Sequence, residues 1–352
     1  MEEAQVQAEL AQTLKDDKAR QTRAYWIRVA GAVALLVAIA ILVNIASSGE
    51  FLRAGNIIHV LRQITYGCIL AVGETFVIIT AGIDLSIGSL VSLSGVVMAL
   101  FANAMGFGGV PLIIATLCVG LALGAAAGFV NAVPVVKLNL PPFITTLAMM
   151  LIAEGLSFKL SHGSPIPLAK SDFQNTGIGF FFGPVSIGHM TLPGIPNPVI
   201  WMLVILVGTS ILLTRTKFGR YVFALGGNEE AARLAGVSVS RVKTMVYVIS
   251  GMCAATAGFL YMALFGSGSP NIGVSGDEML EAIAAVVVGG TSLMGGRGTI
   301  VGTFFGALLI GMLYNVMNLI GIESYTQKIV LGAVILLAVV IDELRKRYLR
   351  KA

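Results

Sequence analysis

Two carboxylates stand where so apolar a chain should have none: Glu74, within a run over 64–81, and Glu154, within a run over 142–160. An ionisable group at such depth must face protein or water, so each is a candidate pathway or interhelix polar group. A self-contained ion-coupled carrier of a small polar solute would use such groups to hold a proton or sodium beside broken helices. Glu154 is followed by Gly155 near the end of its run, and no Asp/Glu/His/Arg relay accompanies either acid. Asp84 follows the first run in TAGIDLSIGS, where it can cap a helix from Leu85 onward and Ser86 or Ser89 can add hydrogen bonds. His162 and His189 lack an acidic cluster and read as surface residues, and His59 is the only other histidine. Cys68, Cys118 and Cys253 lie far apart in apolar runs, without disulfide or metal spacing, and read as packed thiols. Gly295, Gly296 and Gly298 around Arg297 make no phosphate loop, since no strand precedes them and the Lys-Ser/Thr ending is absent; they read as an inner turn, as does Asp84. No catalytic, cofactor or metal residue is assigned.

What must position these groups is a membrane bundle. The chain has 352 residues, 56% hydrophobic and 12% charged, against about 25% charged in soluble domains. Runs at 26–46, 64–81, 88–105, 110–136, 142–160, 198–214, 244–265, 299–319 and 325–341 approach or exceed the roughly 20 residues a helix needs to span a bilayer. A tenth, over 280–294, is short and interrupted by Gly289-Gly290. Charge placement decides for it. With ten crossings and the N-terminus inside, the inner side receives Lys15 to Arg28, Lys137, the Arg215 to Lys243 loop, Arg297 and the Arg345 to Lys351 tail. The outer side keeps Arg53, Arg62 and Lys170 in loops, with Lys159 and Lys328 at helix ends. That is the positive-inside asymmetry; omitting the short span would put the basic tail outside. The net charge of +5 is thus an orientation signal rather than a nucleic-acid footprint. The expected fold is an all-α polytopic membrane protein of ten helices, one short or broken, with a cytoplasmic segment over 1–24, a membrane domain over 25–342 and a basic tail over 343–352. The first run reads as an anchor rather than a cleaved signal.

The longest inner interval, 214–243, has structure of its own. Gly226-Gly227-Asn228 ends one segment and caps the next, Glu229 and Glu230 fill a helix first turn, Arg233 can pair with Glu229, and Gly236 supplies a stop. A short surface helix suited to docking a cytoplasmic partner results. Glycines four apart at Gly120, Gly124 and Gly128, and at Gly302 and Gly306, predict close helix approach. Over 161–197, prolines and glycines predict a rigidly turned extracytoplasmic segment, and Asp277, Glu278 and Glu281 form an acidic lip suited to a delivery protein.

Four stretches carry a resemblance: AGIDLSIGSLVSLSG at 81–95, PPFITTLAMM at 141–150, TKFGRYVFALGGNEEAARLAGVSV at 216–239 and LEAIAAVVVGGTSLMGGRGTIVGTFFGALLIG at 280–311. Through them the chain resembles the permease subunits of bacterial binding-protein-dependent ABC importers for ribose and related monosaccharides. The resemblance implies a vitamin-B12-permease-like bundle of ten helices in the cytoplasmic (inner) membrane. It also implies a second permease subunit, identical or not, ABC ATP-binding subunits docking at 215–243, and an extracytoplasmic sugar-binding protein. Gly226 to Gly236 would belong to the coupling region. Since the chain lacks a P-loop, ATP hydrolysis would fall to another chain and this one would be a non-catalytic translocation subunit.

Overall fold

The computed structural model describes residues 49–351 except 184, 188–189, 193 and 274–276, together with 31, 34, 37–38, 40–45 and 47. The described residues up to Leu52 belong to one unit and those from Arg53 onward to another. The expected segment over 1–24 and much of the first apolar run lie outside the described residues; of that run, residues 40–45 are helical.

In the second unit the helices are α1 Ala54–Ile79, α2 Ile87–Ala104, α3 Gly109–Lys137, α4 Pro142–Ser161, α5 Gln174–Ile178, α6 Asn197–Arg215, α7 Lys217–Gly227, α8 Glu229–Leu234, α9 Val239–Phe265, α10 Asp277–Val288, α11 Ile300–Leu319 and α12 Ser324–Lys351. Seven of them, α1, α2, α3, α4, α6, α9 and α11, are long and apolar enough to cross a membrane, and α12 adds a shorter apolar stretch, Ser324–Val340. The only strands among the described residues are two- and three-residue pieces: β1 Ile166–Pro167 pairs antiparallel with β4 Ser267–Gly268, and β2 Val185–Ile187 with β3 Met190–Leu192.

Hydrogen bonds sort the connections into two ends. At one, the Gly296 N–H donates to Ile79 O at 2.9 Å and the Thr146 hydroxyl to Ile83 O at 3.2 Å, joining the turn after α1 to the turn before α11 and to the start of α4. At the other, Asn103 Nδ2 donates to Pro167 O at 2.9 Å, Leu168 N–H to Gly266 O at 2.8 Å and Gly109 N–H to Asp172 Oδ1 at 2.8 Å. Successive long helices therefore run antiparallel. Because α9 finishes at the second end and α11 starts at the first, the chain between them must cross.

That crossing is the short one, and it is broken. Gly268 packs on Gly95 and Ala99 of α2, and Gly273 packs on Gly88. Five residues thus travel beside seven of α2, roughly 10 Å at 1.5 Å per helical residue, without forming a helix. Only then does α10 begin, with Met279 beside Gly88. The apolar run over 280–294 is too short because a glycine-containing, non-helical segment carries the rest of the crossing. Non-helical backbone at such depth is tolerated only inside protein or along a wet cavity.

Glycine sets the helix spacing. A Cβ on Gly124 or Gly128 of α3 would strike the α9 backbone at Gly251 or Tyr247, and one on Gly302 or Gly306 of α11 would strike Gly289 or Ala285. In lipid, where apolar burial drives no association, such backbone approach supplies the packing. Two sequence expectations need correction. Cys68 and Cys253 are buried, but Cys118 is exposed. Arg62 is not a loop residue, because α1 starts at Ala54: its Nη2 donates to Ile178 O at 2.6 Å and its guanidinium lies 4.9 Å from the Phe180 ring centroid.

Candidate functional site

The 214–243 interval folds as its residue types direct. Thr216 caps α7 by accepting from the Gly219 N–H at 3.2 Å, and Asn228 caps α8 by accepting from the Ala231 N–H at 3.0 Å. Glu229 and Glu230 occupy the first turn of α8, and Arg233 meets them at 3.3 and 3.4 Å. Gly236 ends the helix at φ +83°, where a Cβ would be strained. Lys243, from the next helix, reaches Glu229 at 2.7 Å, a partner 14 residues away that helical spacing does not announce. These pairs are partly solvated and are worth at most about 1 kcal/mol each; their effect is to hold α8 against the foot of α9.

The stop of α7 is wedged between two other turns. A Cβ on Gly226 would strike Ile79 O and stand 2.5 Å from the Gly296 nitrogen. Gly295 and Gly296 have φ +82° and +72°, and the Gly296 N–H bonds Ile79 O. Two consecutive left-handed residues require glycine, which explains the glycine pair. The exposed Arg297 holds this turn with its carbonyl, which accepts the Ser292 N–H at 3.0 Å. The structure thus brings Gly226, Gly227, Gly295 and Gly296 together beside the turn that leads to Asp84. Beyond them, Leu234 is 82% exposed and Met294 74%, and Tyr221 is exposed as well. An apolar side chain presented among charges at this end is what a protein partner covers; the sequence reading missed both Leu234 and Met294.

Glu74 and Asp84 meet. Both are fully buried, and Glu74 Oε1 accepts the Asp84 N–H at 3.1 Å. Asp84 Oδ1 accepts the Ser86 N–H at 3.0 Å and its hydroxyl at 2.6 Å, Oδ2 accepts the Ser250 hydroxyl at 2.9 Å, and Asn131 Nδ2 donates to Ser86 Oγ at 2.9 Å. Asp84 therefore does not cap a helix starting at Leu85. Residues 85 and 86 form a turn around its carboxylate and α2 starts at Ile87, because the polar contacts with α3 and α9 fix the side chain inward. Glu154 lies elsewhere, half-buried in α4 between exposed Leu151 and Leu156.

At the other end Lys170 Nζ donates to Met105 O and Phe107 O, both at 2.6 Å, which pins the 161–197 segment to the α2–α3 connection. Asp277 and Glu278 form the first turn of α10, which starts only after the broken segment has run along α2 to Gly88, so they lie deeper than the lip the sequence suggests; Lys328 of α12 lies 2.9 Å from Asp277, a cation the acidic stretch lacks in its own sequence. Glu281, one turn on, shares a cavity wall with Tyr314 of α11. Near the start of α1, Asn56 and Asn315 exchange amide hydrogen bonds at 2.9 and 2.8 Å.

Over residues 56–339 the chain matches the family described as branched-chain amino acid transport system / permease component. It is 43% identical over 324 residues to the ribose import permease protein RbsC of Escherichia coli strain K12, covering 91% of this chain and 95% of that one. It is 41% identical over 293 residues to the ribose import permease protein RbsC of Bacillus subtilis strain 168, covering 83% and 86%. With the xylose transport system permease protein XylH of E. coli K12 it shares 36% over 365 aligned positions, covering 90% and 91%. No solved structure matches the chain.

Proposed function

We propose, from the fact that the chain belongs to the branched-chain amino acid transport system / permease component family, that it is the membrane-spanning permease subunit of an ATP-driven, binding-protein-dependent sugar importer. Ribose is the proposed cargo, because the ribose import permeases align over nearly their whole length. In this reading the bundle has ten crossings in a vitamin-B12-permease-like arrangement in the inner membrane, and both termini and the 215–243 region face the cytoplasm. Two copies, or this chain and a similar one, enclose the path; a sugar-binding protein delivers to the end carrying 161–197, and Asp277 and Glu278 stand further in, at the start of α10.

The observation that carries the mechanism is the seating of Gly226 against Ile79 and Gly296. An ATP-binding subunit that engages α8 through Glu229, Glu230, Arg233 and exposed Leu234 would move it, and the backbone contact at Gly226 would pass that movement to the turns below α1 and α11. The chain itself carries out no covalent step. It converts a conformational change elsewhere into opening and closing of the path, and ATP hydrolysis belongs to the partner.

The buried Glu74–Asp84 pair is the one observation that suits an ion-coupled carrier instead. Reconstitution separates the two. Ribose-stimulated ATPase that requires a binding protein and an ATP-binding subunit supports the importer; uptake by this chain alone, driven by a sodium or proton gradient, overturns it.

A further inference from the structure

Glu281 occupies a position that lipid cannot tolerate. It approaches Gly67, which is 13 residues from Ala54 and 12 from Ile79 at the ends of α1, so its carboxylate lies halfway along a spanning helix. There it lines a cavity of about 20 Å³ between α1, α10 and α11, with Gln63, Cys68 and Tyr314 among its walls. Gln63 is exposed and Tyr314 only partly covered, so this polar edge opens outward from the bundle. A carboxylate, an amide and a phenol on an open face at mid-depth must meet water or protein rather than acyl chains. The broken crossing feeds the same place: the non-helical chain along α2 leads into the first turn of α10, and Glu281 follows one turn later. Behind it Tyr66 stacks on Tyr261 at 4.2 Å and Tyr261 on Phe265 at 5.9 Å. Tyr66 is 3% exposed and its hydroxyl has no partner.

We infer that this groove is a wall of the sugar path, on which the Glu281 carboxylate, the Tyr314 hydroxyl and the Gln63 amide exchange hydrogen bonds with the hydroxyls of a passing monosaccharide. The inference rests on the sugar-importer reading and adds residues to it. The chemistry fits a polyol: the carboxylate accepts from two hydroxyls, and the amide and the phenol both donate and accept. The enclosed space holds about one water, so the groove offers passing contacts, not a closed cage, and a second copy must supply the opposite wall. Contacts that are satisfied but few let cargo leave as readily as it enters, as conduction requires.

The test uses the permease assembled with its ATP-binding subunit and binding protein in vesicles. In a background with Cys68, Cys118 and Cys253 replaced by alanine, Gln63→Cys and Tyr314→Cys should react with a membrane-impermeant thiosulfonate. Ile114→Cys, 57% exposed on α3, should react only with a lipid-soluble maleimide. In the native background, Glu281→Gln should lower the initial rate of ribose uptake at least tenfold, and Tyr314→Phe several-fold. Reaction of the Gln63 and Tyr314 positions with the lipid-soluble reagent alone, or wild-type ribose uptake by both Glu281→Gln and Tyr314→Phe, overturns the assignment. If the unaltered assembly takes up no ribose, the importer reading fails at that point, and the labelling still decides whether the groove is wet.

Discussion

The Glu74 carboxylate accepts the backbone N–H of Asp84, and Asp84 in turn gathers three donors from Ser86 and Ser250. Asp84→Ala leaves those donors buried without an acceptor, at a cost of about 1–3 kcal/mol each. The variant should melt well below the parent in detergent, and Asp84→Asn, which retains one oxygen, should fall between them. Equal melting temperatures for parent and Asp84→Ala, read by size-exclusion thermostability, would show that the network contributes nothing.

Neighbouring glycines should differ sharply. A Cβ on Gly226 meets Ile79 O and the Gly296 nitrogen, whereas one on Gly227 meets nothing within 4 Å. Gly226→Ala should therefore reduce ribose-stimulated ATPase at least tenfold in the reconstituted assembly, and Gly227→Ala should leave most of it. Indistinguishable variants would remove the basis for force passing through Gly226.

For α8, cap and charge separate. Asn228→Ala should destabilise the helix by about 1 kcal/mol and weaken coupling modestly. Glu229→Lys with Glu230→Lys places two positive charges at a helix N-terminus and abolishes the Lys243 pair. That double variant should insert normally yet lose association with the ATP-binding subunit, as should Leu234→Asp. Co-purification at parental yield would refute the docking surface.

On the lipid side of the argument, Gly124→Val should separate α3 from α9, since no rotamer avoids the Gly251 carbonyl. Lower permease abundance in the membrane and faster proteolysis are expected. The exposed Gly155 of α4, with open space where its Cβ would stand, should accept valine without either effect.

How much could be read beforehand depended on sequence distance. The α8 helix, its Asn228 cap, its Arg233 pair and its Gly236 stop all lie within nine residues, and local rules placed each. The glycine faces of α3 and α11 were legible too, because four-residue spacing fixes a face whatever packs on it. Lys243 on Glu229, Ser250 on Asp84 and Lys328 on Asp277 were not, since nothing in periodicity says which helix arrives opposite. Hydropathy located the short crossing between α9 and α11 by its helical part alone. The non-helical segment from Gly268 to Gly273 is polar and glycine-containing, so a composition scale reads it as a loop outside the membrane.

The joint at Gly226 has a mechanical consequence. Ile79, Gly226 and Gly296 meet main chain to main chain, with no side chain between them that could change rotamer and absorb a displacement. Such a joint has no backlash: α7, α1 and the turn before α11 must shift together or come apart.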